Sequence, residues 1–374
     1  MTKTKIKFVL FLILCLAAFF RFYRLSELMN FSGDVARDYL TARDITLKGV
    51  IPLVGCPSSV PWLHQGAFFI YILGIVLWVG KYNPLAGGYF VGLFGVLGVL
   101  GVFLLGRKLF SKEAGLWAAL FYATSPLVVI FDRYPYHQSL ISILTIVFIY
   151  SLYLGFNKTS HLILSAFLFG LLMQLELSNL VFLPVISIVI WKEKDKISLQ
   201  KLGLCFFVFF TTWIPKIIYD FSNGWTQTFG FIAWTIHKII PVSFPGDNPS
   251  VNLSFPQRFI EIFQQLAKMI YWPNTWIASG IFLILTLFFI ISVLRVKNKG
   301  GSGEFLISLW LIFPFLGFIL HGSPSAAYMP VLFAAPPLLS GYFTWKTRGS
   351  IKIVSRLAFI LLVAFNGFFL LKND

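Results

Sequence analysis

Apolar runs of membrane-spanning character follow one another through most of this 374-residue chain, separated by short basic clusters. A helix needs about 20 mainly apolar residues to cross the hydrocarbon of a bilayer. Only 12% of the residues are charged, against about 25% in an ordinary soluble domain. These two features define an all-α polytopic membrane protein whose core is completed by lipid, with residues 1–374 forming one transmembrane domain. The net charge of +16 does not indicate nucleic acid. The basic residues punctuate apolar runs instead of lining one solvated face.

Spans are expected at 6–23, 85–105, 114–131, 138–156, 160–175, 177–191, 202–219, 276–294, 305–320, 328–345 and 353–371. The run GAFFIYILGIVLWVG at 66–80 is too short to cross comfortably. Laying it along the interface puts 18 of the 30 Lys and Arg, but only four of the 14 Asp and Glu, on one side. Letting it cross would send most later basic clusters to the other side, against the positive-inside rule. The expectation is therefore about eleven transmembrane helices with an interfacial helix in the first outer loop. Lys3, Lys5 and Lys7 before the first run read as an uncleaved signal anchor with a cytoplasmic N-terminus, in a prokaryotic plasma membrane. Two large loops, 24–84 and 220–275, then face outward, as does Glu176, and GGSG at 300–303 is a cytoplasmic turn. Cys15, Cys56 and Cys205 show no metal-ligand spacing and no obvious disulfide pair; Cys15 and Cys205 fall inside apolar runs.

Ionisable groups kept at the rim of a bilayer are functional candidates. The densest set is GDVARDYLTARD, residues 33–44. A helix starting here would place Asp34, Arg37 and Asp38 on one face. Asp34 beside an arginine can stay ionised, as a general base or a metal ligand must; it also suits the N-cap of an interfacial helix. Asp132-Arg133 ends the 114–131 run, where an arginine can clamp a phosphate or snorkel to headgroup water. His64, His137, Glu176, Asp220, His321 and Tyr328 complete the outward-facing set, each open to a structural or a functional role. HExxH, P-loop, GxSxG and nucleotide-binding glycine patterns do not occur, so no nucleotide cofactor is expected.

The order of these features resembles the GT-C integral-membrane glycosyltransferases, in particular the protein O-mannosyltransferase and aminoarabinose-transferase group. The resemblance rests on GDVARD, on Gly66, Phe68, Phe69 and Tyr71, on LLGRKLF, and on AGLWAALFYATSPLVVIFDRYPYH. It is clear over about residues 10–155, and PKIIYDFSNGW and HGSPSAAYMPVL extend it weakly. The resemblance implies a GT-C-like fold and inverting transfer of a sugar from a polyprenyl-phosphate donor, on the outer face, to a glycan, lipid or protein acceptor. It implies Asp34 as base or metal ligand and Arg133, with Arg37, as the phosphate clamp. A divalent metal, if used, would sit on Asp34 and Asp132. The chain departs from its relatives at Glu176 and at His137-Gln138, and the large C-terminal soluble domain that many of them carry is not expected. The loop 220–275 is expected to cap the site and select the acceptor. The competing readings are a lipid-linked-sugar flippase, which would place ionisable groups along a path through the membrane, an O-antigen ligase or polymerase of another fold, which would gather its key arginines in a large late loop, and a catalytically inactive lipid-binding member of the same fold.

Overall fold

The computed structural model describes residues 2–58, 62–239, 254–295, 302–321 and 326–372. Residues 240–253 of the expected capping loop, Lys297, Lys299, the first two glycines of the GGSG turn and residues 322–325 of HGSPSAAYMPVL lie outside the described residues. Among the described residues the regular structure is helical, apart from an isolated antiparallel bridge between Pro57 and His64.

Among the described residues, six helices are long and apolar enough to cross a membrane: Leu85–Leu109, His137–Gly155, Thr275–Arg295, Ser302–His321, Ala326–Lys346 and Gly349–Lys372. The number rises to eight if each of two bent pairs counts as one span. The expectation of eleven is therefore too high, and the reason is length and charge. The helix His161–Leu175 has 15 residues, about 23 Å at 1.5 Å per residue, short of the roughly 30 Å of hydrocarbon. The first helix, Lys3–Phe22, is long enough but carries Lys3, Lys5 and Lys7 at one end and Arg21 at the other. The 12-residue helix Phe68–Val79 is shorter still.

One bent pair has a local cause. Lys112–Thr124 and Pro126–Asp132 meet at 65°. Pro126 offers no N–H and disfavours helical backbone in the residue before it, and Ser125 is extended with ψ 115°. The bend brings Asp132 against the first helix. The long helix Leu85–Leu109 packs on Lys112–Thr124 through small residues, as membrane helices do. A Cβ on Gly115 would stand 2.5 Å from the Phe103 carbonyl oxygen, so only glycine permits this approach. At one end of the molecule, Gly33–Lys48 lies against Phe68–Val79, and the loop between these two helices folds back beneath the turn at Tyr136–Leu140. The candidate site is built there.

Candidate functional site

Ser32, not Asp34, caps the helix Gly33–Lys48, accepting from the Val35 N–H, and Gly49 ends it at φ 68°. Asp34 sits in the first turn, where a negative charge suits the helix dipole. The expected shared face forms. Arg37 Nη1 is 3.2 Å from Asp34 Oδ1, and Arg37 Nε is 3.7 Å from Asp38 Oδ1. The Asp34 side chain is 59% exposed and that of Asp38 only 2%. Arg37 therefore bridges a carboxylate in water and a carboxylate inside the protein. Its Nε and Nη2 are buried and make no hydrogen bond.

The loop after this helix turns Cys56 inward. Gly55 N–H donates to the Gln65 carbonyl and Gln65 N–H to the Cys56 carbonyl, closing a narrow ladder. A Cβ on Gly55 would lie 2.3 Å from the Gly66 carbonyl oxygen, so the ladder requires glycine there. Cys56 Sγ rests 3.4 Å from His137 Nδ1, and Tyr136 Oη points at the same sulfur from 3.8 Å. Asp38, Cys56 and His137 offer ligand atoms that all lie within 4.8 Å of one another, and all three residues are buried. This is an Asp/Cys/His group of the kind that binds a divalent cation.

His137 continues the chain of contacts. Its Nε2 faces Glu176 Oε2 at 3.5 Å. Gln65 Nε2 donates to Glu176 Oε1 at 2.7 Å and Gln138 Nε2 to Oε2 at 3.3 Å. Glu176 occupies the extended joint between His161–Leu175 and the 3-10 turn Leu177–Phe182. The two buried carboxyls are driven apart. Burial pushes Asp38 up to about 6, against the opposing pull of His137 and Arg37. Burial also works against a charge on Glu176, yet the His137 contact and the amides of Gln138 and Gln65 hold it below its ordinary value.

A second polar group borders this one. Lys216 Nζ donates to the His64 carbonyl at 2.6 Å, and Gln227 Oε1 accepts from the His64 N–H at 2.9 Å. Burial, with Lys216 and Arg37 nearby, lowers the pKa of His64, so its ring is neutral at pH 7. Asp220 accepts from the N–H groups of Gln227 and Thr228. Lys216, Asp220 and Gln227, with Trp213, Leu177 and Phe231, line a mostly apolar cavity of about 230 Å³.

Of the remaining sequence-derived residues, Tyr328 stands close enough to Glu176 to feel its charge, and the others are held by contacts of their own. The structure commits Asp132 to Arg21, 2.8 Å from its Nε, deep against the first helix. Neither Asp34 nor Asp132 belongs to the converging Asp38, Cys56 and His137 group. Arg133 is buried and its Nε donates to the Phe20 carbonyl at 3.0 Å. His321 packs edge-on against Tyr328, with ring centroids 5.1 Å apart. Two residues of the site had weak signals in the sequence. Cys56 is the one cysteine outside an apolar run, and Lys216 is a lone cation inside one, a helical turn before Asp220.

A family model described as dolichyl-phosphate-mannose-protein mannosyltransferase matches residues 64–219. No curated protein matches the chain. Among solved structures, ArnT from Cupriavidus metallidurans bound to undecaprenyl phosphate superposes with a TM-score of 0.68 at 13% identity, over 97% of this chain and 64% of that one. An Archaeoglobus fulgidus oligosaccharyltransferase tethered to an acceptor peptide superposes with a TM-score of 0.60 at 12% identity, over 98% of this chain and 55% of that one. The chain thus spans less than two thirds of the length of these proteins. A polytopic helical bundle and superposition over nearly the whole chain show that this protein shares the fold of ArnT and of the archaeal oligosaccharyltransferase.

Proposed function

We propose that this protein is an inverting glycosyltransferase that moves a sugar from a polyprenyl-phosphate donor to an acceptor at the outer face of a membrane, its N-terminus being cytoplasmic. One observation carries the reading. Arg37 has two buried guanidinium nitrogens, Nε and Nη2, without hydrogen bonds, set between a solvent-facing and a buried carboxylate in a fold shared with an undecaprenyl-phosphate-bound protein. Guanidinium donors without hydrogen bonds in such a place suit a phosphate, which accepts paired, charge-assisted hydrogen bonds.

In this reading an acceptor hydroxyl attacks the anomeric carbon in line with the departing lipid phosphate. Asp34, at the water-facing mouth, removes the hydroxyl proton. Arg37 stabilises charge growing on the phosphate oxygen. Arg133 is turned onto the Phe20 carbonyl. The helix Phe68–Val79 lies along the interface, and the segment 220–275 borders the site through Asp220 and Gln227 and contributes to choosing the acceptor. The donor arrives activated, so the energy of transfer is stored in its sugar–phosphate bond. Residues Asp38, Cys56 and His137 would hold a divalent cation, which as a Lewis acid would supply further charge neutralisation.

The test is transfer of labelled sugar from a panel of polyprenyl-phosphate sugars in proteoliposomes. A general base contributes about 10²–10⁴-fold, and Asp34→Asn is expected to lose turnover on that scale with donor still bound. Equal turnover by wild type and variant removes Asp34 from the chemistry. No turnover with any donor shifts the reading to a transporter or an inactive lipid-binding protein.

A further inference from the structure

Three different metal-ligand chemistries converge behind Arg37. Asp38 comes from the helix Gly33–Lys48, Cys56 from the loop that follows it, and His137 from the 3-10 turn His137–Leu140. Tetrahedral zinc, with Zn–S near 2.3 Å and Zn–N near 2.0–2.1 Å, holds a sulfur and a nitrogen about 3.5 Å apart. Cys56 Sγ and His137 Nδ1 are 3.4 Å apart. The widest ligand separation is within 4.8 Å, so a tetrahedral ion would draw the ligands together by about 1 Å. The outer contacts match as well. A histidine that binds metal through one nitrogen usually donates the other N–H to a carboxylate, which fixes its tautomer. His137 Nε2 is buried, lacks a hydrogen bond and faces Glu176 at 3.5 Å. Gln65 and Gln138 fix that carboxylate in turn.

We infer that Asp38, Cys56 and His137 form a site for one thiophilic divalent cation of the zinc type, with a fourth position open to a ligand from outside. Three protein ligands and an open position are the arrangement of reactive zinc sites; structural ones close with four. Thiolate and imidazole favour zinc over magnesium, which takes oxygen ligands. Glu176 is a positioning residue for His137. The site is the one used in the transferase reading, but its binding is measured without donor lipid, so failure of either reading is visible separately.

The experiment uses full-length protein purified in detergent without chelator. Elemental analysis is expected to find about one zinc per chain. Cys56→Ser and His137→Ala each reduce it below about a tenth, while a Cys15→Ser/Cys205→Ser double variant keeps it. Cobalt added to zinc-stripped protein gives a thiolate-to-metal charge-transfer band in the near ultraviolet, absent in Cys56→Ser and undiminished by excess magnesium. Glu176→Gln keeps the band but weakens cobalt affinity about 10–100-fold, the usual consequence of losing such a partner. That variant leaves all three ligands in place, so a misfolded Cys56→Ser protein, detected by its melting profile, does not remove the test. Folded wild-type protein that retains no zinc and shows no cobalt band overturns the inference. A band that survives Cys56→Ser, or one that magnesium abolishes, overturns it too.

Discussion

Two buried carboxylates, Asp132 and Asp38, stand beside arginines in the sequence and end in opposite situations. Asp132 is closed. Arg21 meets it through Nε at 2.8 Å and Nη2 at 2.7 Å, and Arg21 Nη1 donates to the carbonyls of Ala17 and Ala123. Gly95 makes room for the pair; a Cβ there would stand 2.4 Å from Asp132 Cγ. Asp38 is open. The nearest guanidinium nitrogen is 3.7 Å away, and its other neighbours are a thiol and an imidazole. A buried ion pair held in contact this close joins helices; a buried carboxylate whose nearest cation stands farther off is a candidate functional group.

The largest expected effect tests the closed half of that contrast. Asp132→Ala leaves the Arg21 charge buried without its partner and is expected to destabilise the protein by about 3–5 kcal/mol. Replacing both, as Arg21→Met with Asp132→Leu, should recover most of that loss, because apolar groups of similar volume carry no desolvation penalty. Thermal unfolding in detergent measures both. A single variant as stable as wild type would show that the pair does not hold the first helix to the bend at Ser125-Pro126.

Asp38 should behave oppositely in protein stripped of divalent ions. The folded chain keeps the Asp38 proton up to about pH 6, whereas the unfolded chain releases it near 3.8. Between those values the folded state binds more protons, so stability falls as pH rises through the window and the full penalty is present above it. A rise of that size corresponds to about 2–3 kcal/mol. Asp38→Asn is therefore expected to melt higher than wild type at pH 8 and to lack the slope between about pH 4 and pH 6. Melting curves across that range in chelator decide it. If Asp38→Asn melts lower at pH 8, ionised Asp38 is compensated as fully as Asp132 and the contrast collapses.

The contrast also shows what was legible beforehand. Hydropathy carried the helical, membrane-embedded class, and the spacing of Asp34, Arg37 and Asp38 carried their shared face. The span count failed because pieces such as His161–Leu175 are apolar yet too short to cross. The partner of Asp132, Arg21, lies 111 residues away in sequence. Periodicity within one run cannot report such a pairing. Cys56 escaped notice for the same reason: its environment is made by Asp38 and His137, and only the loop closed at Gly55 and Gln65 brings it to them. His137 and Glu176 both stood out as polar groups on one side, but their contact depends on how two separate helix ends meet.

The smallest expected effect separates the two arginines at the ends of this comparison. Arg37 has guanidinium nitrogens without hydrogen bonds, and a charge-assisted hydrogen bond to a phosphate is worth about 1.5–3 kcal/mol. Arg37→Gln should thus weaken donor binding by about 10–100-fold, with little change in melting temperature because the Arg37 side chain is 40% exposed. Arg37→Lys keeps the charge but loses the planar fork, and should fall between wild type and Gln. Arg133 makes the reverse prediction. Its guanidinium is buried on the Phe20 carbonyl, so Arg133→Gln should lower the melting temperature and leave the donor KM of the surviving folded protein near the wild-type value. A raised donor KM in Arg133→Gln with Arg37→Gln unchanged would exchange the two roles, and the phosphate would then sit against the first helix instead of the Gly33–Lys48 helix.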